Sequence, residues 1–221
     1  MAIGAAPGVS IDRAAIPAAP SSAPTVNRRY LAATLGSAVL FASLFAAVAW
    51  QPPRPLLIWN ASASVPVGLY RIDAGTPEIG DLVAVAPPPA VAAWLARRGY
   101  LPAGTPLLKH VAAQPGALIC RSGAEIFVDG RRVAIARMAD RKGRELPRWT
   151  GCRTLRGGEI FLLNPAPDSL DSRYFGPLPA SRLIGRARPI LTRSAPGAPL
   201  RWRPRGASCS LPVTEKDHAS C

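Results

Sequence analysis

Histidine is nearly missing from this sequence: among 221 residues there are two, His110 and His218, far apart and with no recognisable motif around either. That scarcity leaves no convincing Ser-His-Asp set to assemble. Cysteine is sparse as well, with four residues at 120, 152, 209 and 221, and no C-x-x-C or Cys/His spacing occurs. Neither a metal nor a cofactor is therefore expected. Acidic residues are few, 13 Asp and Glu against 27 Lys and Arg, which leaves a formal net charge of +14. Aromatics make up only 6% and do not interleave with a Lys/Arg run, so nucleic acid is not an expected partner. The basic excess suits an anionic membrane surface or a soluble positive exterior.

What the sequence does have is 48% hydrophobic residues together with 25 Pro and 19 Gly. That balance points to a mainly β domain rich in loops and turns rather than a helical bundle. No charged residue occurs from Tyr30 to Pro53, and Leu31–Trp50 is almost wholly Leu, Ala, Val and Phe. Twenty residues of helix rise about 30 Å, the thickness of the bilayer hydrocarbon. Arg28 and Arg29 precede the stretch and Trp50 ends it at interfacial depth. The positive-inside tendency keeps the N-terminus cytoplasmic and exports everything after it. A cleaved signal peptide is the competing reading, since Ala47-Val48-Ala49 resembles a cleavage site, but the apolar run is long for one.

The chain accordingly divides into a disordered cytoplasmic tail (1–29), a transmembrane anchor (30–52), an exported β domain (53–190) and a basic Pro/Arg-rich tail (191–221). Strand-like runs occur at 56–59, 82–86, 107–113, 117–121, 125–128, 131–136 and 159–164, and Asp129-Gly130 is a hairpin turn signal. One short helix is expected at 90–98, after three prolines.

The candidate nucleophile is Ser64, in Asn60-Ala-Ser-Ala-Ser-Val-Pro-Val-Gly-Leu-Tyr70. Pro66 fixes φ and Gly68 permits unusual φ, so the loop is shaped to hold a hydroxyl at a surface. Small Ser/Ala/Pro loops are common, and the pattern alone is weak. Lys109 lies in a strand-like run and by alternation shares a face with Leu107 and Val111. Such a lysine either turns its head outwards or loses its proton, and a desolvated amine serves as a base for a serine.

The ordered set Ser62-Ala63-Ser64-Val65-Pro66, then Lys109 with Pro115-Gly116, then Asp171-Ser172-Arg173-Tyr174-Phe175-Gly176 resembles the motifs of type I signal peptidases. Pro66-x-Gly68-Leu69-Tyr70 looks more like the TraF-type conjugative transfer branch than the housekeeping leader peptidase. The resemblance covers about residues 31–190. It implies a compact signal-peptidase-like β domain behind one transmembrane helix, in the bacterial inner membrane with the catalytic domain periplasmic. It further implies Ser64 as nucleophile, Lys109 as general base, Ser62 in the oxyanion hole and Ser169 orienting the lysine. Asp171 and Arg173 match the charged pair that holds the site loop. The implied substrate is an exported precursor with small residues before the cut, a conjugative pilin precursor in this branch, delivered within the bilayer.

Two departures bear on these expectations. Val65 stands where methionine is usual, and the interval from Gly116 to Glu159 has room for only a short insertion. Cys120 and Cys152 bracket that insertion and are expected to form a disulfide; the pairing of Cys209 and Cys221 stays open. A housekeeping signal peptidase, or a non-enzymatic membrane-tethered assembly protein using its seven Arg between 182 and 205, are the rival readings.

Overall fold

The computed structural model describes residues 27–50, 55–195 and 197–204. Cys209, Cys221 and His218, and most of the two expected tails, lie outside the described residues. The chain falls into two units that divide after Pro53. In the first, helix α1 (Arg28–Trp50) is 23 residues long, with a mean hydropathy of 2.1 over an 18-residue stretch and no buried residue, long and apolar enough to cross a membrane. Asn27 starts it, its side-chain oxygen accepting from Arg29 N, as an N-terminal cap does.

The second unit is mainly β. Its strands are β1 (Leu57–Asn60), β2 (Gly68–Asp73), β3 (Leu82–Val85), β4 (Leu107–Ala113), β5 (Leu118–Ser122), β6 (Glu125–Val128), β7 (Arg131–Ile135), β8 (Gly151–Thr154), β9 (Glu159–Leu163), β10 (Leu178–Pro179), β11 (Leu183–Thr192) and β12 (Arg201–Trp202). Helix α2 (Pro89–Arg97) follows β3, and the single turn α3 (Ser172–Phe175) follows β9. Pro89 opens α2 at a position where its missing N–H is no loss.

One sheet runs β1-β2-β11-β3-β4-β9-β10, with β12 also paired to β11; the other runs β7-β6-β5-β8. The β6–β7 hairpin turns through Asp129 and Gly130, both at positive φ (48° and 77°), as a two-residue turn requires. The small second sheet is the short insertion, and a disulfide joins Cys120 of β5 to Cys152 of β8, directly opposed in register.

β3 and β4 explain the large sheet. All four residues of β3 are buried, Leu82 and Ala84 in one hydrophobic cluster, Val83 and Val85 in another. Leu108 of β4 joins the first cluster, and Leu107 and Val111 the second. Both faces of these central strands are therefore covered, and Lys109 sits in the middle of one of them. A third cluster, around Ile119, Ile126, Phe161 and Leu163, packs the second sheet against the first.

At the C-terminal side, β11 runs on to Thr192, and β12 pairs with its last two residues within the span expected as a tail. Trp59, Leu69, Leu191 and Trp202 are paired in succession across four strands, with Trp59 52% and Trp202 74% exposed. They form an apolar row on the outer face.

Candidate active site

Ser64 lies in the loop between β1 and β2, and the ends of that loop are fixed by two neighbours. Val65 is buried in the cluster that holds Tyr70 and Leu108. Gly68 opens β2 at φ +154°, where a Cβ would fall 2.0 Å from Leu191 O. Only glycine lets β2 and β11 approach so closely. Pro66 O then accepts from Tyr70 Oη at 2.6 Å. The Ser64 hydroxyl lies 2.9 Å from Ser62 Oγ.

Asn60, the last residue of β1, holds the same loop from inside. Its Nδ2 donates to Ser62 O (2.8 Å), Val65 O (3.1 Å) and Pro66 O (3.1 Å). Its Oδ1 accepts from Ser62 N at 3.2 Å and from Ser62 Oγ at 3.1 Å.

Lys109 is 4% exposed, and its Nζ donates to Ser169 Oγ at 2.7 Å. Burial among apolar residues pushes the amine pKa down from 10.5 to about 8. The Asp171 carboxylate works in the opposite direction, and Arg173 adds slightly to the fall. The attraction of Asp171 is blunted because its charge is already matched. Its two oxygens accept from Arg173 Nε (2.8 Å), Arg173 Nη2 (2.9 Å), Arg173 N and Asn164 N (both 3.1 Å).

This ion pair is wholly buried, and Asp171 also caps α3. Arg173 reaches back to Asn164 O at 2.5 Å, closing the loop that carries Ser169. Asn164 ties that loop to β4, donating to Leu108 O and accepting from His110 N and the His110 ring. Ser169 is thus set by a polar frame of Asn164, Asp171 and Arg173, each buried and hydrogen-bonded.

A cleft of about 310 Å³ runs beside Ser64, lined by Val65, Pro66, His110, Pro165, Ala166 and Arg193 among others. The structure brings Ser62 to Ser64, Lys109 to Ser169, and Asp171 to Arg173. Among the described residues no hydrogen bond joins Ser64 to Lys109; each hydroxyl or amine is held by its own serine partner. Catalytic hydrogen bonds are commonly long before substrate binds. Asn60, Asn164 and Arg193 also shape this region, and no motif in the sequence marks any of them.

No group of three or more His, Cys, Asp or Glu able to hold a metal occurs among the described residues.

The family model described as signal peptidase, peptidase S26, matches residues 28–192. The conjugal transfer protein TraF of Agrobacterium tumefaciens (strain 15955) is 37% identical over 177 residues, covering 75% of this chain and 97% of that one. The protein of the same name from Agrobacterium fabrum (strain C58 / ATCC 33970) is 38% identical over 146 residues, 60% of this chain and 81% of that one. A crystal structure of a signal peptidase I from Enterococcus faecalis V583 aligns with a TM-score of 0.32 at 19% identity, over 52% of this chain and 98% of that chain. With well over half of its length matched, the chain belongs to the signal peptidase family, peptidase S26.

Proposed function

We propose that this protein is a membrane-anchored serine endopeptidase that processes an exported precursor, with Ser64 as nucleophile and Lys109 as general base. The observation that carries the reading is Lys109: a lysine in a fully covered strand, aimed by a serine hydroxyl, with its pKa lowered to about 8. An amine titrating there is neutral in a useful fraction near neutral pH, whereas an ordinary surface lysine is not.

The neutral amine takes the Ser64 proton and the alkoxide attacks the scissile carbonyl. The C–N bond breaks as the leaving amine is protonated, leaving an acyl-enzyme that water, activated by the same amine, hydrolyses. Ser62 Oγ and the Ser64 backbone N–H are the expected oxyanion donors. The step requires the Lys109 amine within hydrogen-bonding reach of Ser64 Oγ once substrate is bound. The cleft beside Ser64, walled by Pro165 and Ala166, is the place for the small residues before the cut.

The relatives named as conjugal transfer proteins favour a dedicated precursor, such as a conjugative pilin, over general secretion. Helix α1 supports attachment to the inner membrane with the β domain in the periplasm, and the Cys120–Cys152 disulfide fits that oxidising compartment. The exposed row from Trp59 to Trp202 suits contact with the lipid surface, where amphipathic rings sit well.

The test is processing of a tagged pilin precursor by membranes carrying wild type, Ser64→Ala or Lys109→Ala. Loss of processing in both variants supports the reading. Unimpaired processing by both removes it and leaves a non-enzymatic assembly role. Cleavage of many unrelated precursors would instead indicate a general signal peptidase.

A further inference from the structure

Asn60 makes five hydrogen bonds into residues 62–66, and their chemistry fixes more than the backbone. A carboxamide oxygen can only accept and its nitrogen only donate. Three carbonyls surround Nδ2 and a backbone N–H meets Oδ1, so the orientation of the amide is determined by its partners.

It follows that the Ser62 hydroxyl, 3.1 Å from Oδ1, is the donor in that contact. Its only hydrogen is then used, and Ser62 Oγ can meet Ser64 Oγ, at 2.9 Å, only as an acceptor. The chain therefore runs one way, from Ser64 O–H to Ser62 Oγ and from Ser62 O–H to Asn60 Oδ1. In the free protein the Ser64 proton points at Ser62, and the Ser62 proton is turned away from where an oxyanion would form.

We propose that Asn60 is a positioning residue for the nucleophile loop, holding the Ser62–Pro66 backbone in shape and setting the hydrogen-bond direction through Ser62 to Ser64. The inference rests on the reading of Ser64 as nucleophile. Its consequence is that acylation requires the Ser62 hydroxyl to exchange Asn60 Oδ1 for the developing oxyanion. Asn60 does not line the cleft beside Ser64. It acts through Ser62 and through the carbonyls of Ser62, Val65 and Pro66, which flank Ser64 on both sides.

The test measures kcat and KM on a fluorogenic precursor peptide for the full-length protein in detergent, with thermal unfolding beside it. Asn60→Ala, Ser62→Ala and the double variant are compared. Removing one oxyanion donor typically costs about 10²–10³ in rate, which sets the scale for Ser62→Ala. Asn60→Ala is expected to lower kcat at least tenfold with KM changed less than about twofold. The double variant should be no more than about twofold slower than the slower single variant, because the two side chains act as one unit.

Asn60→Asp keeps the shape and the acceptor for Ser62 but removes both donors. It serves where Asn60→Ala does not fold, and the same loss of at least tenfold in kcat is expected. Wild-type kcat in either Asn60 variant overturns the proposal, as does a loss that multiplies with that of Ser62→Ala. A loss that merely follows the folded fraction overturns it too. Ser64→Ala is the separate control: if it processes normally, the peptidase reading itself has failed, whereas an inactive Ser64→Ala beside a fully active Asn60→Ala removes only the role of Asn60.

Discussion

Lys109 Nζ donates its hydrogen bond to Ser169 Oγ at 2.7 Å, and both residues are under 5% exposed. A charged ammonium in that position would be stripped of water and given one neutral acceptor. The balance therefore favours the free amine more strongly than on a surface, and the consequences are measurable.

Activity should titrate with this amine. With a pKa of about 8, the active neutral form grows about tenfold per pH unit below that value and saturates above it. We expect kcat/KM for a precursor peptide to rise with that slope from pH 6 to about 8 and then level off. A profile flat from 6 to 9 would exclude Lys109 as the base.

Stability should respond to the same group. The folded protein holds Lys109 at a pKa below its unfolded value of 10.5, so between about 8 and 10.5 the unfolded chain binds the extra proton. Stability therefore rises with pH across that window, and below it the full penalty is present. The fall in pKa corresponds to about 3 kcal/mol at most. Lys109→Met removes the penalty. Its stability relative to wild type should be greatest at pH 6–7 and decline as pH approaches 10.5, as read by urea unfolding at several pH values.

The Asp171–Arg173 pair should be far more sensitive to losing one member than its surface counterparts. Both side chains are at most 2% exposed, and Arg173 also serves Asn164 O. Asp171→Ala strands a buried guanidinium and is expected to cost about 3–5 kcal/mol. By contrast, Arg132→Ala breaks the Arg132–Glu125 pair, which is about half exposed, and should cost at most about 1 kcal/mol. Denaturant unfolding of both variants distinguishes the two cases.

Two parts of this arrangement are legible in the sequence because their constraints are local. Pro66 and Gly68 advertise a shaped loop, and alternation about Leu107 and Val111 puts Lys109 on a buried face. Two of the strands that escaped notice, β8 and β11, carry no inward alternation of large apolar residues. In β11 the inward positions are Gly185, Ala187 and Pro189, with arginines between them, so no apolar alternation appears. Gly185 is small because β2 passes against it: a Cβ there would lie 2.5 Å from Asp73 O. β8 is exposed throughout and is placed by its pairing and the disulfide to β5. Asn60 gave no signal at all, since a carboxamide gathering carbonyls from residues 62, 65 and 66 exists only once the loop has folded.

The disulfide should stabilise the small sheet without entering the chemistry. Cys120 and Cys152 are separated by 32 residues, and closing a loop of that length restricts the unfolded chain by about 3–4 kcal/mol in the chain-entropy model. The bond sits between β5 and β8, whereas Ser64, Lys109 and Ser169 belong to the large sheet and its loops. Replacing both cysteines by serine should lower the urea midpoint and speed proteolysis within residues 137–150, the connection between β7 and β8. The pH at which kcat/KM levels off should stay near 8, because nothing around Lys109 has changed. A displaced pH profile in the Cys→Ser double variant would mean that loosening the insertion is passed to the site through Arg173, whose carbonyl oxygen accepts from Arg121 of β5 at 2.7 Å.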